Sequence, residues 1–321
     1  ALAYSRSQLV VASRAAHIPG PIDGPTRDPD QLAEGVALTR RLRVIRRGAS
    51  IVAWTFPCMA VQAICLMLPG PPKVAFAKLY WAVFTRLMGI RVQVVGERAS
   101  IGADRPVLFV SNHSSWVDIP VVGSVLDGRF VAKGDVGTWP VISTIAKLGR
   151  TVFVSRQRVS TGRELDAMQA VLSSGDNLIL FPEGTSSDGC RVLPFRTSFF
   201  AVAEPRPGIE PPIIQPVSVV YDRLAGLPTG RATRPIFAWY GDMDIASHFW
   251  KLSQHVGLRA TVLLHAPLDP ARFPDRKALS QAVWHTIADG AATLRQNRPA
   301  RPLVVADPML PDLMDSEPAL A

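Results

Sequence analysis

Val107-Leu108-Phe109-Val110-Ser111-Asn112-His113-Ser114-Ser115-Trp116-Val117-Asp118 is the stretch from which the rest of the chain can be read. Its first four residues are apolar and rich in β-branching, the pattern of a short strand buried on both faces. His113 and Asp118 therefore fall where that strand ends and a loop or helix begins. Loops held by a rigid sheet often carry catalytic groups. Imidazole titrates near neutrality, so a histidine here can accept a proton at physiological pH. A carboxylate on its second ring nitrogen would fix the tautomer and stabilise the imidazolium. His113 and Asp118 are thus a candidate general-base dyad.

A second stretch has the same build. Leu178-Ile179-Leu180-Phe181 reads as another buried strand and runs into Pro182-Glu183-Gly184-Thr185-Ser186-Ser187-Asp188-Gly189. Pro182 ends the strand, and the glycines permit tight turns and close approach of backbone to a ligand. Two further segments follow the same chain order: Gly149-Arg150-Thr151-Val152-Phe153-Val154-Ser155-Arg156 and Gln215-Pro216-Val217-Ser218-Val219.

Asn-His-x4-Asp, Gly-x3-Phe-x2-Arg, Phe-Pro-Glu-Gly-Thr and a strand-borne Pro-Val pair together resemble the glycerolipid acyltransferase family, whose bacterial members include 1-acylglycerol-3-phosphate acyltransferase. The resemblance is good over residues 80–265 and slight over the first 40. It implies transfer of a fatty acyl group from acyl-CoA or acyl carrier protein to the free hydroxyl of 1-acylglycerol-3-phosphate, giving phosphatidic acid. Another lysolipid acceptor, such as lyso-ornithine lipid, is the alternative, and a thioester hydrolase a further one. The family often has Pro-Phe-Lys-x-Gly after the third motif, whereas this chain has Pro194-Phe195-Arg196-Thr197-Ser198. The departure keeps the cation and leaves the acceptor headgroup open.

By the same resemblance Glu183, Gly184 and Thr185 belong to the acceptor site. Arg156, Arg196 and Lys133 are the candidate cations for an anionic headgroup, since guanidinium binds phosphate in a bidentate fork. Backbone N–H groups near Gly184 or in the 112–114 turn are candidate oxyanion donors. No Gly-x-Ser-x-Gly elbow points to a serine nucleophile. His248 and His255 are seven apart with no third ligand near them, so no metal is expected. No cofactor is implied either. Cys58, Cys65 and Cys190 have neither disulfide nor metal-ligand spacing.

Charge is concentrated near the N-terminus. Residues 36–100 hold ten Lys/Arg against a single acid, Glu97, which equals the whole net excess of +9. These cations flank a run, 48–72, without any charged residue. About 20 apolar residues suffice to cross a bilayer, and cationic flanks suit anionic headgroups. The segment therefore points to an anionic membrane and away from nucleic acid. Pro69-Gly70-Pro71-Pro72 interrupts the run, and Lys73–Ile90 is again amphipathic and basic. A hairpin or re-entrant anchor with both ends cytosolic keeps the dyad on the side where acyl-CoA and acyl carrier protein reside; a single full span is the alternative. The expected location is the inner (cytoplasmic) membrane with the catalytic domain facing the cytosol.

The predicted fold is α/β: a mixed sheet flanked by helices, with an N-terminal membrane-associated helical hairpin. The expected divisions are a disordered arm over 1–39, the basic apolar anchor over 40–90, the catalytic domain over 91–298 and a loose acidic tail over 299–321. Strands are expected at 91–95, 106–111, 151–154, 177–181, 213–220, 234–240 and 260–266, with helices between them.

Overall fold

The computed structural model describes residues 29–99, 105–133, 140–154, 162–205 and 210–305. The chain divides into a unit over 1–43, described only as the start of a helix, and a unit over 44–321 that carries the sheet.

Helix α1, Pro29–Met67, continues through Pro57. It begins inside the stretch expected to be a disordered arm, because Gln31–Val44 carries strong helix formers once Pro29 has set the first turn. Within Gly35–Met67 lies a stretch long and apolar enough to cross a membrane, by length and composition. After the Pro-Gly interruption α2 runs Pro72–Leu87 and turns back along α1. Trp54 Nε1 donates to the Tyr80 carbonyl at 3.3 Å, and the Thr55 and Tyr80 hydroxyls lie 3.1 Å apart. Gln62 Nε2 donates to the Lys73 carbonyl at 3.0 Å, closing the pair near its turn.

The remaining elements form one sheet with helices on both faces. They are β1 (Ile90–Val95), β2 (Val107–Ser111), α3 (Asp118–Gly123), β3 (Arg129–Lys133), α4 (Pro140–Leu148), β4 (Val152–Val154), α5 (Gly162–Ser173), β5 (Leu178–Leu180), β6 (Ile213–Leu224), β7 (Leu227–Pro228), α6 (Ile245–Ser253), β8 (Leu258–Leu264) and α7 (Arg276–Arg295). The strand order is β1-β8-β6-β2-β5-β3-β4, with β7 folded back on β6. Strands β6, β2, β5, β3 and β4 are mutually parallel, while β8 is antiparallel to β6 and β1 is parallel to β8. The sheet is thus mixed, as the alternating pattern led one to expect.

Strand β2 is central and its five residues are all buried. Leu108 and Val110 pack with α5 and α7 on one face; Val107 and Phe109 pack with α3 and the α2 residue Phe84 on the other. That two-sided burial is why the strand reads as a continuous apolar run. Gly123 of α3 leaves room for the Trp81 ring of α2, since a Cβ there would lie 2.6 Å from it.

Three expectations need correction. Strand β3 was not foreseen, because Arg129-Phe130-Val131-Ala132-Lys133 is short and capped by cations. Residues 234–240 form a 3-10 turn at Arg234–Ile236 and then irregular chain, not a strand; Pro235 lacks the N–H a ladder needs. The first part of the supposed loose tail is tied down: Leu303 N donates to His265 Nδ1 at 3.1 Å, and Ala266 N to the Leu303 carbonyl at 3.0 Å. Residues 306–321 and 1–28 lie outside the described residues.

Candidate active site

Because β2, β5 and β6 run in parallel, their C-terminal ends share one edge of the sheet. Ligands of open α/β sheets bind at such an edge. The β2 end carries Asn112 and His113, the β5 end carries Phe181–Gly184, and Tyr221 lies far along β6.

Asn112 is architectural. Its side-chain amide donates to the Val219 carbonyl at 2.9 Å and its Oδ1 accepts from Val219 N at 2.8 Å, pinning the end of β2 to β6. His113 then leaves the sheet, and the chain doubles back into α3, whose first residue is Asp118.

Asp118 is fully buried and accepts four hydrogen bonds. Its Oδ2 receives His113 Nδ1 at 2.9 Å, Ser114 N at 2.7 Å and Ser115 N at 2.9 Å. Its Oδ1 receives the Tyr221 hydroxyl at 2.7 Å. A carboxylate surrounded by donors has only acceptor roles to play, so the proton between it and His113 sits on Nδ1. The Nε2 atom is then the basic nitrogen. The imidazole is the solvent-facing member of the pair, its side chain 19% exposed against 0% for Asp118. Phe181 stacks on the ring with centroids 4.4 Å apart and holds its plane. Burial, reinforced by the neighbouring Asp118 charge, pushes the Tyr221 phenol above its ordinary value, so it stays a donor.

Glu183 faces inward. It is buried, with Oε1 accepting His113 N at 2.7 Å and Oε2 accepting Leu193 N at 3.0 Å. A reciprocal bond, Ser187 N to the His113 carbonyl at 2.9 Å, completes a clasp between the two motif loops. The resemblance implies that Glu183 belongs to the acceptor site; in the structure both of its oxygens accept from backbone N–H groups. Burial pushes its carboxyl up to about 8 despite those two N–H bonds, with Arg295 beyond it pulling the other way. Arg295 is itself lowered by burial and by the neighbouring Arg234.

The proposed oxyanion donors of the 112–114 turn are also occupied, His113 N by Glu183 and Ser114 N by Asp118. Gly184 N donates to the Phe181 carbonyl at 3.2 Å. Gly184 has φ +68°, and a Cβ there would stand 2.8 Å from Arg196 Nε. Only glycine gives the guanidinium that approach without strain. Arg196 is exposed, and its backbone N–H donates to the Pro182 carbonyl at 2.9 Å, so the cation is held beside the motif loop. Thr185 is exposed on the same loop. Lys133 ends β3 and so shares the sheet edge with His113, whereas Arg156 lies outside the described residues.

Two functional partners escaped the sequence reading. Tyr221 is one; its only trace is the alternation Val217, Val219, Tyr221 that puts it on the face shared with Phe109. His248 is the other: its Nδ1 accepts Trp116 Nε1 at 3.0 Å, anchoring the middle of the loop between His113 and Asp118. Among the described residues no group of three or more His, Cys, Asp or Glu is placed to hold a metal.

Set against known proteins, residues 91–220 match the family model described as Acyltransferase. The chain is 36% identical over 250 residues to lyso-ornithine lipid O-acyltransferase of Rhizobium meliloti, covering 77% of this chain and 85% of that protein. It is 28% identical over 185 residues to 1-acyl-sn-glycerol-3-phosphate acyltransferase of Neisseria gonorrhoeae, covering 56% of this chain and 68% of the relative. In fold it is similar to the crystal structure of the 1-acyl-sn-glycerophosphate acyltransferase PlsC from Thermotoga maritima, with TM-score 0.58, 21% identity and coverage of 83% of this chain and 100% of that one.

Proposed function

Because this chain belongs to the acyltransferase family, we propose that it moves a fatty acyl group from a thioester donor, acyl-CoA or acyl carrier protein, to the free hydroxyl of lyso-ornithine lipid. The observation that carries the chemistry is the His113–Asp118 pair, with Nδ1 held at 2.9 Å and the other ring nitrogen left as the base. The acceptor oxygen attacks the thioester carbonyl carbon while Nε2 takes its proton. The tetrahedral intermediate collapses, the C–S bond breaks, and the thiolate takes that proton from the imidazolium. General-base assistance of this kind is typically worth ~10²–10⁴-fold. No acyl-enzyme is needed, since the thioester is already electrophilic.

The acceptor assignment rests on the relatives. The protein named for lyso-ornithine lipid matches more of this chain and at higher identity than the one named for 1-acylglycerol-3-phosphate. Arg196 suits either headgroup, since a guanidinium forks onto a carboxylate as well as onto a phosphate. Phosphatidic acid formation is therefore the second reading. Thr185, Lys133 and Arg156 fill out the acceptor site in this proposal, with residues 91–298 as the catalytic domain.

The α1–α2 hairpin is the membrane anchor in the same proposal. The ten cations of residues 36–100 flank its uncharged run and favour the cytosolic face of the inner membrane. Removing 36–90 should release the protein from anionic vesicles.

The test uses the detergent-solubilised protein with labelled acyl-CoA or acyl carrier protein and each lysolipid in turn. Faster product formation with lyso-ornithine lipid supports the assignment. Product only with 1-acylglycerol-3-phosphate moves it to the second reading, and free fatty acid alone rejects transfer.

A further inference from the structure

Helix α1 meets the catalytic domain at Arg47 as well as at Gln62, whose Nε2 donates to the Leu148 carbonyl at 3.0 Å. Arg47 is buried, and its Nη1 donates to the Ser253 and His255 carbonyls, each at 2.9 Å, capping the end of α6. Gly48 stands against the Phe249 ring, 3.8 Å from where a Cβ would be. The turn after α6 is in turn bonded to the β6–β7 hairpin: Ala225 N donates to the Val256 carbonyl at 2.9 Å and Gly226 N to the Gly257 carbonyl at 3.2 Å. Gly257, at φ +60°, lets the two backbones come this close.

Three segments therefore meet at the level of Arg47, and each presents large apolar side chains to solvent. Leu227 at the hairpin tip is 69% exposed, Val256 in the turn 46%, and Trp250 on the outer side of α6 43%. Neighbouring Ile45 of α1 is 58% exposed. Arg46 and Lys251, the chain neighbours of Arg47 and Trp250, are exposed as well. Apolar residues rimmed by cations are the pattern of an interfacial membrane contact, and tryptophan favours the headgroup boundary.

The register along α1 decides what covers this face. The uncharged run begins at Gly48, immediately after Arg46 and Arg47. If those arginines sit among the headgroups, the hairpin tip and the turn bonded to Arg47 are at the same depth. We propose that Leu227, Val256 and Trp250 form a second membrane contact, which inserts into the headgroup layer of an anionic bilayer and sets the orientation of the catalytic domain on it. The inference rests on α1–α2 being the anchor.

The experiment labels two sites separately with an environment-sensitive fluorophore. The background is Cys58→Ala, Cys65→Ala, Cys190→Ser, chosen after showing that it still acylates a detergent-dispersed acceptor. One label is placed at Leu227→Cys and the other at Ile64→Cys in the anchor. Both proteins are bound to vesicles of phosphatidylcholine and phosphatidylglycerol containing shallow spin-labelled lipid. A blue shift and quenching at 227 together with a shift at 64 supports the proposal. Water-like emission at 227 with a shift at 64 overturns it while leaving the anchor in place. Water-like emission at both sites overturns the anchor and this inference with it. As an independent readout, Leu227→Asp with Val256→Asp should lower turnover at least tenfold on vesicle-embedded acceptor and leave it unchanged on detergent-dispersed acceptor; an equal rate on vesicles argues against the contact.

Discussion

The hydroxyl of Tyr221 donates to Asp118 Oδ1 at 2.7 Å, the carboxylate oxygen that His113 does not use. Strand β6 thereby supports the dyad from below, 103 residues further along the chain. Tyr221→Phe keeps the ring stacked on Phe237 and removes only this donor. A hydrogen bond to a charged group is worth roughly 1.5–3 kcal/mol, so a loss of stability of that order is expected. With the orienting group loosened, kcat should fall while KM for both substrates stays near wild type. Thermal unfolding and steady-state kinetics on one preparation check both.

His113→Ala should reduce transfer by ~10²-fold or more. The clasp to Glu183 uses the backbone N–H of residue 113 and survives the change. The Nδ1 bond to Asp118 is lost, so stability should fall by roughly 1.5–3 kcal/mol, as for Tyr221→Phe, with the fold retained. Turnover close to wild type would remove the general-base role.

Glu183 gives a pH signature in stability. Its carboxyl is raised from the ordinary 4.5 to about 8 by burial, so the folded protein holds a proton that the unfolded chain releases between those values. The stabilising contribution is complete below about 4.5 and disappears as pH rises through about 8. Glu183→Gln has no proton to lose. Its stability relative to wild type should rise steadily from pH 5 to pH 9, even though the amide offers one acceptor where the carboxyl offers two. Parallel melting curves in detergent over that range are the measurement; parallel pH profiles for the two proteins would contradict the inward, protonated Glu183.

Gly184→Ala tests the placement of Arg196. The left-handed φ of +68° makes any Cβ unfavourable, by roughly 1–2 kcal/mol, and the guanidinium 2.8 Å away must also move. Arg196→Ala should raise KM for the lysolipid several-fold with little change in KM for the acyl donor. Gly184→Ala should show the same split. A matching rise for both substrates would place Arg196 outside the acceptor site.

The buried strands β2 and β5 were legible because both faces of each are covered, which leaves uninterrupted apolar runs before His113 and before Pro182. The dyad followed from its spacing, which suits a loop that doubles back into α3. The inward turn of Glu183 was not legible. A glutamate after a strand has the same spelling whether it meets solvent or the N–H groups of His113 and Leu193, and the choice is made by a loop ten residues later. Tyr221 looked like one more core aromatic because its hydroxyl partner is far away in sequence. The 234–240 stretch misled because its aromatics pack without pairing: Phe237 is buried against Tyr221, and Trp239 N donates to the Ser114 carbonyl at 2.9 Å.

The long reach between Asp118 and Tyr221 also orders events during synthesis. At ~5–20 residues per second, the ribosome delivers Tyr221 roughly 5–20 s after Asp118. For that interval Ser114, Ser115 and His113 are the only donors the carboxylate has within its own segment. Its complete burial awaits the arrival of β6, and Asn112 cannot bind Val219 before then. The catalytic loop therefore lacks its fixing partners until β6 has been made, and a nascent chain stalled before β6 has both motif histidine and aspartate but neither the Tyr221 nor the Val219 bond.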